Sequence, residues 1–151
     1  MKTLLVAINA KFIHSNLAVR YLKTYADRHI KADIEISEFT INNYIEEILS
    51  AIYEKRPDLI GFSCYIWNIE MVKKLVNLIK IVLPNVKILV GGPEVSYDFD
   101  ELMGTYPIDF IISGEGEKSF SQLISSLESE SSQFSKIEGL SYKIDDTIKS
   151  N

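Results

Sequence analysis

The sequence has little cysteine and no long apolar run. Cys64 is the only cysteine among 151 residues, so an internal disulfide cannot form, and the chain alone cannot supply a zinc or iron–sulfur site built on cysteines. A reducing compartment, the cytoplasm, is the simplest setting for such a chain. No apolar stretch approaches the roughly 18 residues of a membrane span, and the run at residues 3–8 is too short for a secretory signal. We therefore expect a cytoplasmic protein without membrane contact.

Positive charge is scarce too. The chain carries 16 Lys and Arg against 21 Asp and Glu, a net charge of −5, whereas nucleic-acid binders usually present a basic face. We therefore expect no nucleic-acid partner. The hydrophobic fraction of 46% and the charged fraction of 25% are typical of a globular chain with one core.

Short apolar runs alternate with amphipathic helical stretches along the chain. The runs predict strands at residues 3–8, 33–39, 59–62, 86–90 and 110–113. A helical stripe follows each run, which predicts an α/β fold, a doubly wound parallel five-stranded sheet with helices on both faces. Because the second run alternates polar and apolar residues and suits a sheet edge, we expect the flavodoxin-like strand order 2-1-3-4-5.

Two helix starts carry recognisable caps. Asn43 and Glu46 have the spacing of a capping box, which predicts that the second helix begins at Asn43. A short helix is expected near residues 97–103, and Ser96 is the candidate cap before it.

The last residues predict a C-terminal β-hairpin. From Gly139 onward apolar and polar residues alternate, as in a half-buried strand. Asp145 and Asp146 supply turn chemistry, and residues 147–149 are expected to return as the second strand.

The residues with chemical potential follow the strand ends. In a doubly wound protein ligands bind at this carboxyl edge of the sheet. The first loop there contains Asn9, Lys11 and His14 but lacks the glycines of a phosphate-binding loop. His14 is a candidate ligand or acid–base group. The alternative, which the pattern favours, is that Ser15 or Asn16 caps the next helix and His14 packs at its entrance.

The loop after the third strand combines a hydroxyl with two aromatic rings. Ser63 could aim its hydroxyl and backbone amide at a ligand. Tyr65 and Trp67 could wall a flat ligand by stacking, or simply cover the helix below them. Cys64 is expected to be a buried apolar group, because no neighbouring motif would activate a thiolate.

Glycine-rich turns follow the fourth and fifth strands. Gly91 and Gly92 remove every side chain at a strand end and let a bulky ligand approach the backbone, with Pro93 and Glu94 completing the turn.

In the next turn Gly114 again keeps the chain open, and Glu115 is the freer of its two acids. Glu117 is expected in the first turn of the last helix, where a carboxylate suits the helix dipole. No catalytic triad or carboxylate dyad can be assembled from these loops, so we predict no catalytic residue.

The loops together resemble those of a known family. The segments are VAINAKFIHSNLAVRYL, DLIGFSCYIWN, ILVGGPEVS and DFIISGEGEKSF, in that order. This set resembles the N-terminal cobalamin-binding domain of B12-dependent radical SAM proteins, the group that includes the anaerobic magnesium-protoporphyrin monomethyl ester cyclases. The resemblance implies that the corrin ring lies over the carboxyl edge of the sheet. It also implies that Ser63, Gly91 and Gly92 line a channel for the nucleotide tail.

One departure concerns the cobalt. Many cobalamin domains carry D-x-H-x-x-G after the first strand, with the His as lower axial ligand, whereas Asn9, Lys11 and His14 stand in those places here. Radical SAM members often lack the motif, so we assign no metal ligand, although the loop is still expected near the corrin. The candidate cofactor-binding residues are Asn9, Lys11, His14, Ser63, Tyr65, Trp67, Gly91, Gly92, Pro93, Glu94, Gly114 and Glu115.

The resemblance also implies a missing half. The family's catalytic part uses C-x-x-x-C-x-x-C to hold the [4Fe–4S] cluster that cleaves S-adenosylmethionine, and this chain has only Cys64. We expect residues 1–135 to form the cobalamin-binding domain and residues 136–151 a linker hairpin toward an absent radical SAM domain. The isolated domain is then inactive. The alternatives are a stand-alone domain that binds a nucleotide or a protein partner, and a small enzyme that uses His14 and Glu115.

Overall fold

A computed structural model describes residues 1–11, 16–131 and 133–151. The strands are β1 (Lys2–Asn9), β2 (Asp33–Thr40), β3 (Leu59–Ser63), β4 (Lys87–Gly91), β5 (Phe110–Ile112), β6 (Leu140–Ile144) and β7 (Thr147–Ser150). The helices are α1 (Leu17–His29), α2 (Ile45–Lys55), α3 (Ile69–Val82), α4 (Phe99–Thr105) and α5 (Glu117–Glu128). Short 3-10 turns lie at Pro93–Val95 and Phe134–Lys136.

All strands join one sheet in the order β2-β1-β3-β4-β5-β6-β7. The first five strands pair in parallel, so the predicted doubly wound sheet and its order 2-1-3-4-5 are confirmed. The predicted hairpin is also present, but it does not hang free at the end of the chain. β6 pairs antiparallel with β5 and extends the sheet to seven strands.

The sheet has two faces with separate apolar cores. We call the side covered by α2, α3 and α4 the closed face; buried residues such as Leu4, Ile60 and Leu75 form its core. We call the side covered by α1 and α5 the open face; its core includes Leu5 and Phe120. Because side chains alternate along a strand, each of the central strands supplies residues to both cores.

The helix starts confirm one expected cap and correct two others. Asn16 caps α1, where its Oδ1 accepts a hydrogen bond from the Val19 amide at 3.2 Å. The prediction that Asn43 starts α2 is wrong, because the helix begins at Ile45. The Asn43 Oδ1 instead accepts a hydrogen bond from the Thr40 amide at 2.9 Å and holds the turn after β2.

The short helix α4 begins at Phe99, two residues later than expected, and Ser96 does not cap it. The Ser96 hydroxyl donates to the Gly92 carbonyl at 2.9 Å and closes the turn after β4 instead. The sequence pattern missed this because a serine can satisfy a preceding carbonyl as readily as a following amide.

The hairpin consists of β6, a tight turn and β7. Asp145 and Asp146 have φ values of +47° and +63°, the left-handed pair that suits a two-residue turn between twisted strands. β6 starts opposite the carboxyl end of β5, since Leu140 pairs with Ile112. β7 returns toward that edge, where the Asn151 amide donates to the Leu140 carbonyl at 3.0 Å. Among the described residues, no helix has the length and apolar character that crossing a bilayer requires.

Candidate ligand-binding cleft

A cleft of about 370 Å³ opens at the carboxyl edge of the sheet, on the open face. Its volume lies at the lower end of the range of about 300–1,000 Å³ found for small-molecule sites. The sheet forms its floor, and α1 and the start of α5 form its walls. The described lining residues are Leu5, Ala18, Val19, Tyr21, Leu22, Gly61, Phe62, Ser63, Tyr65, Leu89, Val90, Gly91, Gly92, Pro93, Ile112, Gly114, Glu115, Gly116 and Glu117.

The deepest part of the floor is a row across three strands. Leu5 of β1 pairs with Gly61 of β3, which pairs in turn with Leu89 of β4. A Cβ on Gly61 would lie 2.9 Å from the Leu5 Cδ2 and 3.7 Å from the Leu89 Cδ2, so the two leucines lean over the glycine from either side. This glycine therefore lets the two leucine side chains pack close over the backbone of β3, within the apolar floor of the cleft.

A second row lies closer to the mouth. Ser63 of β3 pairs with Gly91 of β4, and Gly91 pairs with Ile112 of β5. The Ser63 side chain is only 8% exposed and lines the cleft. A Cβ on Gly91 would meet only the Ile112 carbonyl oxygen, at 3.4 Å, so the glycine leaves room on the cleft side. This row offers one hydroxyl beside a bare backbone.

The turn after β4 is fixed by backbone packing. Gly92 has a φ of +108°, and a Cβ there would lie 2.4 Å from the Cys64 carbonyl oxygen. The Cys64 amide donates to the Gly91 carbonyl at 2.7 Å, which holds the β3 and β4 ends together. Gly92 is thus required by its backbone conformation and by the close contact, besides lining the cleft.

Cys64 itself faces away from the cleft. Its side chain is fully buried in the core of the closed face, as predicted. Burial raises the pKa of the thiol to about 12; a hydrogen bond with the Gly91 backbone acts in the opposite direction, and the charge of Glu94 adds to the rise. The thiol therefore stays protonated and unreactive at neutral pH.

Polar side chains gather at the mouth of the cleft. Tyr21 and Glu115 are exposed, and Tyr65 and Glu117 are partly exposed. Glu117 lies in the first turn of α5, as expected. The cleft thus passes from an apolar floor to a mouth with carboxylates and phenols.

Tyr65 and Trp67 do not both wall the cleft. Their rings stack on each other with centroids 4.5 Å apart, and Tyr65 alone lines the cleft. The Trp67 Nε1 donates to the Ile8 carbonyl at 3.1 Å, and Asn68 Nδ2 donates to the same oxygen at 3.0 Å. The pair of rings therefore forms a platform beside the mouth, fastened to the end of β1.

Three further candidate residues lie outside the cleft. Asn9 ends β1 and is nearly buried, with its carbonyl accepting from the Ile41 amide at 2.9 Å, and Lys11 is exposed. Glu94 lies on the closed-face side, where it lines a second, polar cavity between α3 and α4. His14 lies outside the described residues. The cleft does contain Ser63, Tyr65, Gly91, Gly92, Pro93, Gly114 and Glu115.

Sequence reasoning missed the cleft floor and the α1 wall. In the sequence Leu5, Gly61 and Leu89 are ordinary members of buried strands, Leu22 belongs to an ordinary helical stripe, and Val19 lies outside that stripe. One signal was available, since a glycine inside an apolar strand commonly marks a site of close approach. The face of the sheet on which Gly61 lies can be assigned only from its pairing with Leu5 and Leu89 in the neighbouring strands.

The fold is a doubly wound domain with a cleft at the carboxyl edge of its sheet. Over residues 3–124 the chain matches the family of B12 binding domains. The cobalamin-dependent radical SAM methyltransferase TokK of Streptomyces tokunonensis is 31% identical over 132 residues, 84% of this chain and 19% of TokK. The anaerobic magnesium-protoporphyrin IX monomethyl ester cyclase of Synechocystis sp. is 30% identical over 117 residues, 77% of this chain and 23% of the cyclase.

Solved structures show the same fold. The radical enzyme OxsB, with aqua-cobalamin and S-adenosylmethionine bound, superposes with a TM-score of 0.83 at 22% identity, over 100% of this chain and 22% of OxsB. The methyltransferase TsrM from Kitasatospora setae, with cobalamin and a [4Fe–4S] cluster bound, gives 0.75 at 18% identity, over 98% of this chain and 28% of TsrM.

The chain belongs to the B12-binding domain family, of the type that occurs in B12-dependent radical SAM enzymes. The resemblance inferred from the loop sequences is thereby confirmed. The chain spans about a fifth of the length of the curated relatives that it matches.

Proposed function

We propose that this chain binds cobalamin with the nucleotide tail in the cleft and the corrin ring over the carboxyl edge, as the cofactor-holding part of a radical SAM enzyme. The observation that carries the proposal is the glycine-lined, mainly apolar cleft at this edge in a chain of this family. Cobalamin would supply the chemistry of its cobalt–carbon bond, and the protein would supply binding and orientation.

The residues of the cleft fit the tail. A side chain at Gly91 would project into the space that the tail needs, and this position carries none. Ser63 offers a hydroxyl that can hydrogen-bond the tail one row nearer the mouth than the floor. No Lys or Arg lines the cleft within the described part of the chain, which suits a ligand with one phosphodiester better than a nucleotide with several phosphates.

Exposed apolar side chains lie in the segments that follow the carboxyl ends of the strands. Ile66 is 79% exposed, Trp67 44% and Tyr97 88%, and all three follow strands at the carboxyl edge. Leu17 and Tyr44 are exposed at the starts of neighbouring helices. Such a patch is typical of a surface that another body covers. We assign that role to the corrin and to the radical SAM domain of the same parent chain.

The hairpin fits the role of a linker to that domain. It brings Asn151 back to the edge of the sheet where the cleft opens, with the Asn151 side chain donating to the Phe134 and Ile137 carbonyls at 2.6 and 2.7 Å. We therefore keep the division into a cobalamin-binding part at residues 1–135 and a linker hairpin at 136–151. S-adenosylmethionine and the [4Fe–4S] cluster would belong to the parent's other domain. We propose no catalytic residue and no cobalt ligand in this chain.

Retention of a corrin colour tests the proposal. The purified chain is mixed with hydroxocobalamin and desalted, and its visible spectrum is recorded. Trp67, the only tryptophan, gives a second readout, because a corrin above the edge should quench its fluorescence. We expect the corrin absorption to travel with the protein and no turnover of substrate by the chain alone. Protein that emerges colourless with unchanged fluorescence at saturating cobalamin would refute the proposal.

The Gly91→Leu variant tests the position of the tail. A leucine here has ordinary local contacts and projects into the cleft, so binding should weaken about tenfold or more while the fold persists. Gly104→Leu is the matched control, because Gly104 lies on α4 with no atom within 4 Å of its Cβ position. Equal affinity of Gly91→Leu and Gly104→Leu for cobalamin would place the tail elsewhere.

A further inference from the structure

The floor of the cleft is poor in hydrogen-bonding side chains. The row farthest from the strand ends contains Leu5, Gly61 and Leu89, and Val19 of α1 also lines the cleft. These side chains are at most 4% exposed and wholly apolar. The backbone amides and carbonyls of this row are engaged in the sheet, since β1, β3 and β4 pair in register here. A group that enters the floor therefore finds apolar contacts and little else.

Polar partners begin one row nearer the mouth. Ser63 supplies a single hydroxyl beside Gly91, and the carboxylates of Glu115 and Glu117 lie still farther out, where water reaches them. A ligand group at the floor can therefore share at most one side-chain hydrogen bond with the described residues. The cleft distinguishes ligands by the polarity of the group that they place deepest.

We propose, on the basis of the proposed function, that this cleft selects among corrinoids by the base that ends the nucleotide tail. It favours a benzimidazole base over a purine. Natural corrinoids share the ring and differ chiefly in this base. A dimethylbenzimidazole brings two methyl groups, which gain from burial against leucine, and one free ring nitrogen, which a single hydroxyl can satisfy.

Adenine makes different demands. It brings an amino group and several ring nitrogens, which all lose water on entering the cleft. A buried polar group without a partner is penalised more than a hydrogen bond gains, so the unpaired groups of adenine weaken binding. One such group corresponds to a loss of about tenfold in affinity, and we expect at least that difference between the two corrinoids.

Three ligands separate the possible outcomes. The quenching of Trp67 and the visible spectrum are titrated with cobalamin, with its adenine-containing analogue, and with cobinamide, which lacks the nucleotide tail. We expect cobalamin to bind at least about tenfold more tightly than either of the others. Equal binding of cobalamin and the adenine analogue would overturn the selectivity and leave cobalamin binding intact. Equal binding of cobinamide would overturn it too, because the tail would then lie outside the cleft. Failure of all three to bind would refute the proposed function itself.

Leu89→Gln sharpens the test. The substitution keeps the length of the side chain and adds an amide at the cleft floor, so the preference for cobalamin over the adenine analogue should fall at least about threefold. Leu89→Met is the matched control, because methionine preserves volume and apolar character and should leave the preference unchanged. Each ratio is measured within one variant, so a general loss of stability cancels. An unchanged ratio in Leu89→Gln would contradict the role of the apolar floor, and the wild-type titrations decide the proposal if that variant does not fold.

Discussion

The two faces of the sheet are built from the same strands and serve different ends. On β3, Ile60 and Phe62 point into the core of the closed face, whereas Gly61 and Ser63 line the cleft on the open face. Helices α2, α3 and α4 cover the core of the closed face, whereas the open face keeps an apolar cleft at its carboxyl edge. Neighbouring residues on one strand therefore have different roles, because one packs into the core of the closed face and the next lines the cleft on the open face.

This contrast explains how a small domain keeps its stability while it leaves a cleft in its core. The closed face holds large, fully buried side chains of α2 and α3, such as Ile52 and Leu75, close-packed against β1 and β3. The core of the open face also includes Phe120 of α5 and Leu140 of the hairpin. The apolar cleft thus lies at one end of the open face, and the second cavity, between α3 and α4, is polar.

The largest expected effect compares one leucine from each face. Leu75→Ala on the closed face should lower the free energy of unfolding by about 2–5 kcal/mol, because it leaves a cavity among close-packed neighbours. Leu89→Ala borders a cleft that already exists, so its loss should be about 2 kcal/mol or less. Urea unfolding of the chain without ligand measures both. An equal loss in the two variants would show that the open face is packed as tightly as the closed face.

A smaller effect compares two glycines. Gly92→Ala forces a Cβ against the Cys64 backbone at a φ of +108° and should lower the free energy of unfolding by about 1–3 kcal/mol. Gly104→Ala adds a methyl group in open space within α4 and should raise it by up to about 1 kcal/mol. Thermal or urea unfolding should therefore shift in opposite directions. Two shifts of the same sign would contradict the role assigned to the turn after β4.

The smallest effect concerns the thiol of the closed face. In the folded protein burial raises the pKa of Cys64 to about 12, against an ordinary value of 9.0. The stability contributed by the protonated thiol is complete below about pH 9 and is lost as the pH rises toward about 12, because the unfolded chain ionises first. The loss should reach about 1 kcal/mol near pH 10. Cys64→Ala is the control for other groups that titrate here, and identical pH profiles of the two proteins would show that the thiol is not buried.

The strand order of the sheet could be predicted from the sequence, whereas the residues of the cleft floor could not. Continuous apolar runs and helical stripes report burial directly, so the parallel order and the hairpin could be predicted. Paired glycines at strand ends also pointed to the right turns, at Gly91 and Gly114. The role of Gly61 depends on its register between Leu5 and Leu89, and a register between strands leaves no mark in a single sequence.

The same limit applies to side-chain direction. Trp67 donates to the Ile8 carbonyl, far away in sequence, and this contact turns its ring away from the cleft. Glu94 follows the glycine pair directly, but the 3-10 turn that begins at Pro93 carries it to the other side of the sheet. The predicted strand ends placed both residues at the correct edge of the sheet, but only the folded chain shows on which side of the sheet each one lies.

The glycines of the cleft have a consequence for the entropy of binding. Of the seven glycines in the chain, Gly61, Gly91, Gly92, Gly114 and Gly116 line the cleft. A surface made of main chain has no side-chain rotors to immobilise, whereas each flexible side chain that is frozen on binding opposes association by about 0.5–1.5 kcal/mol. Where the sheet fixes that main chain, as at Gly61 and Gly91, the shape of the cleft is settled when the protein folds and does not wait for its ligand.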